Sequence, residues 1–185
     1  MEKWTLIDRR EVYAAPPWLR VYSETVRLPT GQEIEGFHQV ELLDYAIMVV
    51  EREDGRFILI RQYKHGVRDV SLTPPAGGLN PGEDPLETAR RELLEETGYE
   101  ASGWTKLVAM VTHANQRCCI GHVFHATGAR RVAQPNSGDL EEQELVYLTR
   151  EELIAAIRRG EVQTSSSLAS LSLVLGGILP SPASP

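Results

Sequence analysis

Three glutamates, Glu92, Glu95 and Glu96, fall within five consecutive residues. At 100° per residue they share one flank of a helix, with Glu92 and Glu96 at i,i+4 and Glu92 and Glu95 at i,i+3. Like charges at these spacings repel by roughly 0.2–0.5 kcal/mol per pair. A divalent cation reverses that sign. Hard cations such as Mg²⁺ bind carboxylate oxygens, keep several waters and share substrate phosphates. The competing reading is an ordinary solvated face. Arg90 and Arg91 lie on the same helix, and Arg91 can pair with Glu87 or Glu95.

The element that must position these acids runs from Pro85 to Thr97. Asp84 is placed to cap it, Pro85 suits the first helical position, and Glu87 stands where a capping box needs it. Gly98 is the expected residue just past the end. Leu86, Ala89, Leu93 and Thr97 form one stripe that should face a core. The approach is a tight loop containing Pro74, Pro75, Ala76, Gly77, Gly78, Pro81 and Gly82. Glycines let backbone groups approach an ion or phosphate closely. Glu83 precedes Arg91 by eight residues, and the two can brace loop against helix.

Gly77, Glu83, Arg91, Glu92, Leu93, Glu95, Glu96, Gly98 and Tyr99 together match every fixed position of the Nudix box. The sequence therefore resembles the Nudix hydrolases. Within them it is most similar to the ADP-ribose pyrophosphatase-like branch, through the turn Pro75-Ala76-Gly77 and the strand Ile60–Lys64. The resemblance implies an α/β/α sandwich within the α+β class, with a mixed central sheet and an N-terminal antiparallel hairpin. It implies Mg²⁺, or Mn²⁺, held by Glu92, Glu95, Glu96 and the carbonyl of Ala76. It also implies hydrolysis of a nucleoside diphosphate linked to X, such as ADP-ribose or another nucleotide sugar. The products would be a nucleoside monophosphate and phosphorylated X. A non-catalytic module that binds nucleotide sugars is the alternative.

In this branch the general base comes from an acidic loop after the box. Here that region is Asp139–Glu144, with Glu141 and Glu142 as candidates; a solvated acidic loop is the plain alternative. Glu83 and Arg91 are expected as loop braces. Arg61, Tyr63 and Gly77 are expected to touch substrate: an arginine fork suits a phosphate, and a tyrosine ring can stack on a base. An edge-strand charge is the plain reading of Arg61, and core packing that of Phe124. His113, His122 and His125 lack the spacing of a metal cluster. Two departures from the branch stand out. Thr73 sits where a glutamate is usual, and Asn115 where strict ADP-ribose pyrophosphatases carry a proline.

The chain has 185 residues, 42% of them hydrophobic and 24% charged, with net charge −7. That length supports one domain with a sizeable core. The acidic balance argues against nonspecific nucleic-acid binding, which needs a basic surface. No apolar run is long enough to span a membrane, and the charged first ten residues lack a leader pattern. Cys118 and Cys119 are adjacent and fit neither a disulfide framework nor a zinc spacing, which points to reduced thiols in the cytoplasm.

Residues 1–42 read as an N-terminal β segment, with strands over Trp4–Val12, Trp18–Leu28 and Gln32–Val40. Such a segment needs a partner surface, and by the resemblance it forms a homodimer. Residues 43–177 read as the hydrolase domain. Strands are expected over Tyr45–Val50, Arg56–Tyr63, Trp104–Val111, Cys118–Ala126 and Glu144–Leu148. Lys64–Val70 and Gly128–Asp139 read as loops. Thr149 and Glu152 form a capping box before a helix ending at Arg159, and a last helix starts near Ser165 and ends near Leu175. Residues 178–185 read as a disordered tail.

Overall fold

The computed structural model describes residues 1–136, 138 and 142–178. The chain divides into two compact units. One comprises Met1–Asp44 with Val111–Ile120, and the other Tyr45–Met110 with Gly121–Pro185.

In the first unit, β1 (Thr5–Ala15), β2 (Leu19–Arg27) and β3 (Glu33–Glu41) form an antiparallel meander. The tight turn at Thr30-Gly31, with Gly31 at φ 86°, joins β2 to β3. Nearly all of β1 is exposed, and Trp4, Leu6, Tyr13 and Trp18 lie open on this unit. Arg117 and Cys118, at the start of a later strand, pair in parallel with Val40 and Glu41.

The second unit holds a mixed sheet. Its strands are β4 (Tyr45–Arg52), β5 (Phe57–Lys64), β6 (Asp69–Thr73), β7 (Ala76–Gly78), β8 (Tyr99–Glu100), β9 (Gly103–His113) up to Met110, β10 (Arg117–Arg131) from Gly121, and β11 (Gln143–Leu148); the remaining residues of β9 and β10 belong to the first unit. β4 runs parallel to β10 and antiparallel to β5, and β11 pairs antiparallel with β5. β6 extends β5 on one side, while β7 lies antiparallel to β4. The helices are α1 (Pro85–Thr97), α2 (Arg150–Arg158) and α3 (Ser165–Leu175).

Alternation along the strands places the two cores. Ala46, Met48, Val50 and Ile58 meet Ala89 and Leu93 of α1 on one face. Val49, Phe57, Leu59 and Leu72 meet Leu153, Ala156, Leu171 and Val174 of α2 and α3 on the other. Period two within each strand separates these sets. Helices therefore cover both faces, as the α/β/α expectation requires.

Several strand boundaries differ from the sequence reading. Of Lys64–Val70, read as a loop, Lys64 ends β5 and Asp69 and Val70 begin β6; β1 and β9 run on to Ala15 and His113; and β10 continues through Gly128 to Arg131. Gly128 lies at φ 65°, and the register with β4 shifts between Ala126 and Ala129. A glycine in a strand marks such an irregularity as readily as an end.

Candidate active site

α1 forms over the expected residues, but without the capping box: Glu87 turns to Arg90, whose Nη1 donates to its Oε1 at 3.0 Å. Asp84 is the N-cap, and its carboxylate accepts from Leu86 N at 2.8 Å. Gly98 closes the helix at φ 74°, with its N–H donating to Leu94 O at 2.8 Å. A Cβ at Gly98 would lie 2.2 Å from Ala133 O, so both conformation and space demand glycine there.

The acidic flank of α1 is covered, although periodicity alone leaves it open to water. Glu96 is only 7% exposed. Its Oε2 accepts from Ala76 N at 2.9 Å, which ties the helix to β7. Glu92 lies against Gly77. A Cβ on Gly77 would come within 1.9 Å of Glu92 Cδ, so only glycine leaves room for that carboxylate. The glycine-proline approach and the glutamates thus form one structure.

Arg91 organises the remainder. Its Nε and Nη2 donate to the two oxygens of Glu83 at 3.0 and 3.1 Å, a bidentate fork. Nη2 also donates to Gly78 O at 3.2 Å. Nη1 donates to Glu92 Oε1 at 2.7 Å and to Glu95 Oε2 at 3.0 Å. Asn80 closes the loop, with its backbone and side-chain N–H groups donating to Glu83 Oε2 at 3.0 and 2.9 Å. The Arg91 guanidinium, followed by the Asn80 N–H, holds the Glu83 carboxyl at about 2, far below its ordinary 4.5. The same carboxylates push the Arg91 guanidinium further up.

Glu92, Glu95, Glu96 and the Ala76–Gly77 backbone offer hard oxygen donors, the chemistry that suits Mg²⁺ or Mn²⁺. The glycine at position 77 clears a cradle for one of those carboxylates. The residues therefore fit a divalent cation by donor type. Among the described residues, no three acidic, histidine or cysteine side chains converge as a ready metal cage. Instead the Arg91 guanidinium bridges Glu92 and Glu95.

The other sequence-selected residues lie in several places. Arg61 and Tyr63 lie on one face of β5, with Glu142 and Glu144, around a cleft of about 650 Å³. Arg61 Nη1 donates to Glu144 Oε2 at 2.7 Å, and Tyr63 Oη lies 3.1 Å from His65 Nδ1. Glu141 lies outside the described residues. Phe124 is core, edge-on to Trp104. His125 Nε2 lies 3.0 Å from Glu51 Oε1, a packed pair away from the glutamate cluster. Thr73, found where the branch has glutamate, is buried and accepts from Gln62 Nε2 at 2.9 Å.

Sequence reasoning missed Lys64. It ends β5, is half-buried, and lines a cavity of about 280 Å³ that begins at Ala76, Gly77 and Gly78. The signal was available: Lys64 continues the alternation Ile58, Ile60, Gln62, whereas Arg61 belongs to the opposite set.

The chain is similar to known proteins over most of its length. A family model described as NUDIX domain matches residues 42–168. A second, described as nucleoside diphosphate sugar hydrolase N-terminal domain, matches residues 4–40. The chain is 32% identical to an ADP-ribose pyrophosphatase of Bacillus subtilis over 77% of each chain. It is 27% identical to a GDP-mannose pyrophosphatase of Cronobacter sakazakii, over 72% of this chain and 74% of that one. A crystal structure of an ADP compounds hydrolase superposes with TM-score 0.81 at 20% identity, over 96% of this chain and 95% of that one. That last likeness speaks for the fold.

Proposed function

Because the chain belongs to the Nudix family and is a Nudix-type pyrophosphatase, we propose that it hydrolyses the diphosphate of a nucleotide sugar, ADP-ribose or a close analogue. The products are a nucleoside monophosphate and a sugar phosphate. The observation that carries this reading is the acid cluster docked on the turn, with Glu96 on Ala76 N and Glu92 against Gly77.

Glu92, Glu95, Glu96 and the Ala76 carbonyl would hold Mg²⁺ or Mn²⁺. When bound, such ions neutralise diphosphate charge and lower the pKa of water. The residues of the chain supply the rest. Arg91 and Glu83 fix the turn relative to the helix, so that the acids are positioned before substrate arrives. Lys64 supplies positive charge beside the turn. Glu142, or its neighbour Glu141, accepts the proton of the attacking water. Arg61 and Tyr63 bind at the cleft beside Glu142. Phosphoryl chemistry asks chiefly for this positioning and charge stabilisation.

The exposed aromatic and aliphatic residues of the N-terminal meander support a homodimer built through that unit. Cys118 and Cys119 are free thiols, which supports a cytoplasmic setting. No described helix is long and apolar enough to cross a membrane.

The test is a panel of ADP-ribose, ADP-glucose, GDP-mannose, NADH and diadenosine polyphosphates with Mg²⁺, read by product formation. Turnover of a nucleotide sugar above the dinucleotides is expected. Tight binding with no product would reject catalysis in favour of a binding module, the reading that Thr73 and Asn115 favour.

A further inference from the structure

The Glu83 carboxylate accepts from two residues. Arg91 donates through Nε and Nη2. Asn80 donates through its backbone N–H at 3.0 Å and its side-chain Nδ2 at 2.9 Å, both to Oε2. The link is reciprocal, because Glu83 N donates to Asn80 O at 3.0 Å. Asn80-Pro81-Gly82-Glu83 is therefore a closed β-turn with the residues of type II, proline second and glycine third, Gly82 lying at φ 77°. The turn brings residues 80 and 83 together whatever their side chains are. Where the Glu83 carboxylate points depends on the donors that receive it. Position 80 is not among the fixed positions of the box, so that pattern does not ask for asparagine there.

We propose that Asn80 is a positioning residue for the reaction, acting through Glu83 and Arg91 on the acids of α1. This rests on the reading of those acids as the metal ligands of a pyrophosphatase. Arg91 is divided between two sets of carboxylates. Its Nε and Nη2 face Glu83, and its Nη1 faces Glu92 and Glu95. If Glu83 swings away, the guanidinium turns to Glu92 and Glu95 and competes with the cation they would hold. Asn80 fixes Glu83 Oε2 from the side away from the helix and so keeps the fork aligned. The neutrality of the amide matters. A carboxylate at position 80 would repel Glu83, and a cation there would draw Glu83 from Arg91. The Glu83 side chain is only 18% exposed, which shelters these contacts from water. Asn80 itself is exposed, so its replacement leaves the core untouched.

The test is a double-mutant cycle of Asn80→Ala and Glu83→Gln, with Asn80→Asp beside it. Each variant is read by kcat and KM on the nucleotide sugar that the wild type turns over fastest, by calorimetric titration with Mn²⁺ alone, and by its melting temperature. Asn80→Ala should lower kcat by about tenfold, the low end for one hydrogen bond to a charged group, with KM kept within about twofold. It should weaken Mn²⁺ by about threefold to tenfold, as residues behind a metal ligand do. Asn80→Asp keeps the size, replaces the donor by a charge, and should lose more than Asn80→Ala at pH 8. In the Glu83→Gln background Asn80→Ala should add less than about a twofold loss, because its route is already cut. Wild-type kcat and Mn²⁺ affinity in Asn80→Ala, with only the melting temperature lowered, would reduce Asn80 to a loop contact and overturn the proposal. A full tenfold loss on top of Glu83→Gln would overturn it too, since Asn80 would then act by another route. If the wild type turns over no nucleotide, the pyrophosphatase reading falls by itself, and the Mn²⁺ arm of the cycle decides on Asn80.

Discussion

Gly77 carries more of the site than its size suggests. Its missing Cβ is the space taken by the Glu92 carboxylate. Gly77→Ala would drive a methyl group into the end of a flexible side chain, which can move aside. The stability cost should therefore stay near or below about 1 kcal/mol, the low end of overpacking. The chemical cost should be larger, because a displacement of about 1 Å in a positioned group can lower the rate on the order of a hundredfold. Thermal melts paired with steady-state turnover check this. Wild-type turnover in Gly77→Ala would show that Glu92 need not lie where it does. The box residues are legible in sequence because each answers a local demand. Glu96 shows the limit: periodicity places it on the acidic flank, and only the docked turn explains its burial.

At the scale of elements, the brace between loop and helix is the testable unit. Glu83 is held at about 2 in the folded protein against 4.5 ordinarily. A depressed carboxylate stabilises the fold above its unfolded value and loses that contribution as pH falls towards its folded value. Glu83→Gln should therefore melt below wild type at pH 6, with the gap closing between about pH 4.5 and 2. A gap that does not change with pH would assign the loss to packing instead of charge. The brace was legible from the eight-residue spacing of Glu83 and Arg91, since α1 has strong caps at both ends. The elements around β6 were less so. Asp69–Thr73 is short and half exposed, and its pairing with β5 is a long-range fact that local pattern does not carry. Arg61 is conspicuous by its chemistry, whereas Lys64, at the end of the same strand, is placed only by the alternation of β5. The structure puts Arg61 against Glu144 and Lys64 beside the turn.

At the scale of the whole molecule, the N-terminal unit leaves Tyr13 and Trp18 more than half exposed, at 56% and 69%. An isolated meander of this kind has little core of its own. In solution the protein should sediment at twice the 20.6 kDa of one chain. The double variant Tyr13→Glu, Trp18→Glu should shift it towards that single-chain mass. Sedimentation of the wild type as a monomer would remove the proposed role of this unit. The sequence pattern supplied its strands and turns, because Thr30-Gly31 and the alternation after Trp18 are local signals. It did not supply the surface, which depends on what covers each face.

The most direct measurement follows ADP-ribose hydrolysis by Glu96→Gln across a Mg²⁺ titration, with folding matched to wild type by circular dichroism. Glu96→Gln keeps the size of the side chain and removes its charge. Turnover lowered by about a hundredfold or more, the scale of losing one strong electrostatic contact, is the predicted result. Wild-type rates with an unchanged Mg²⁺ dependence would contradict the assignment of the α1 acids to catalysis.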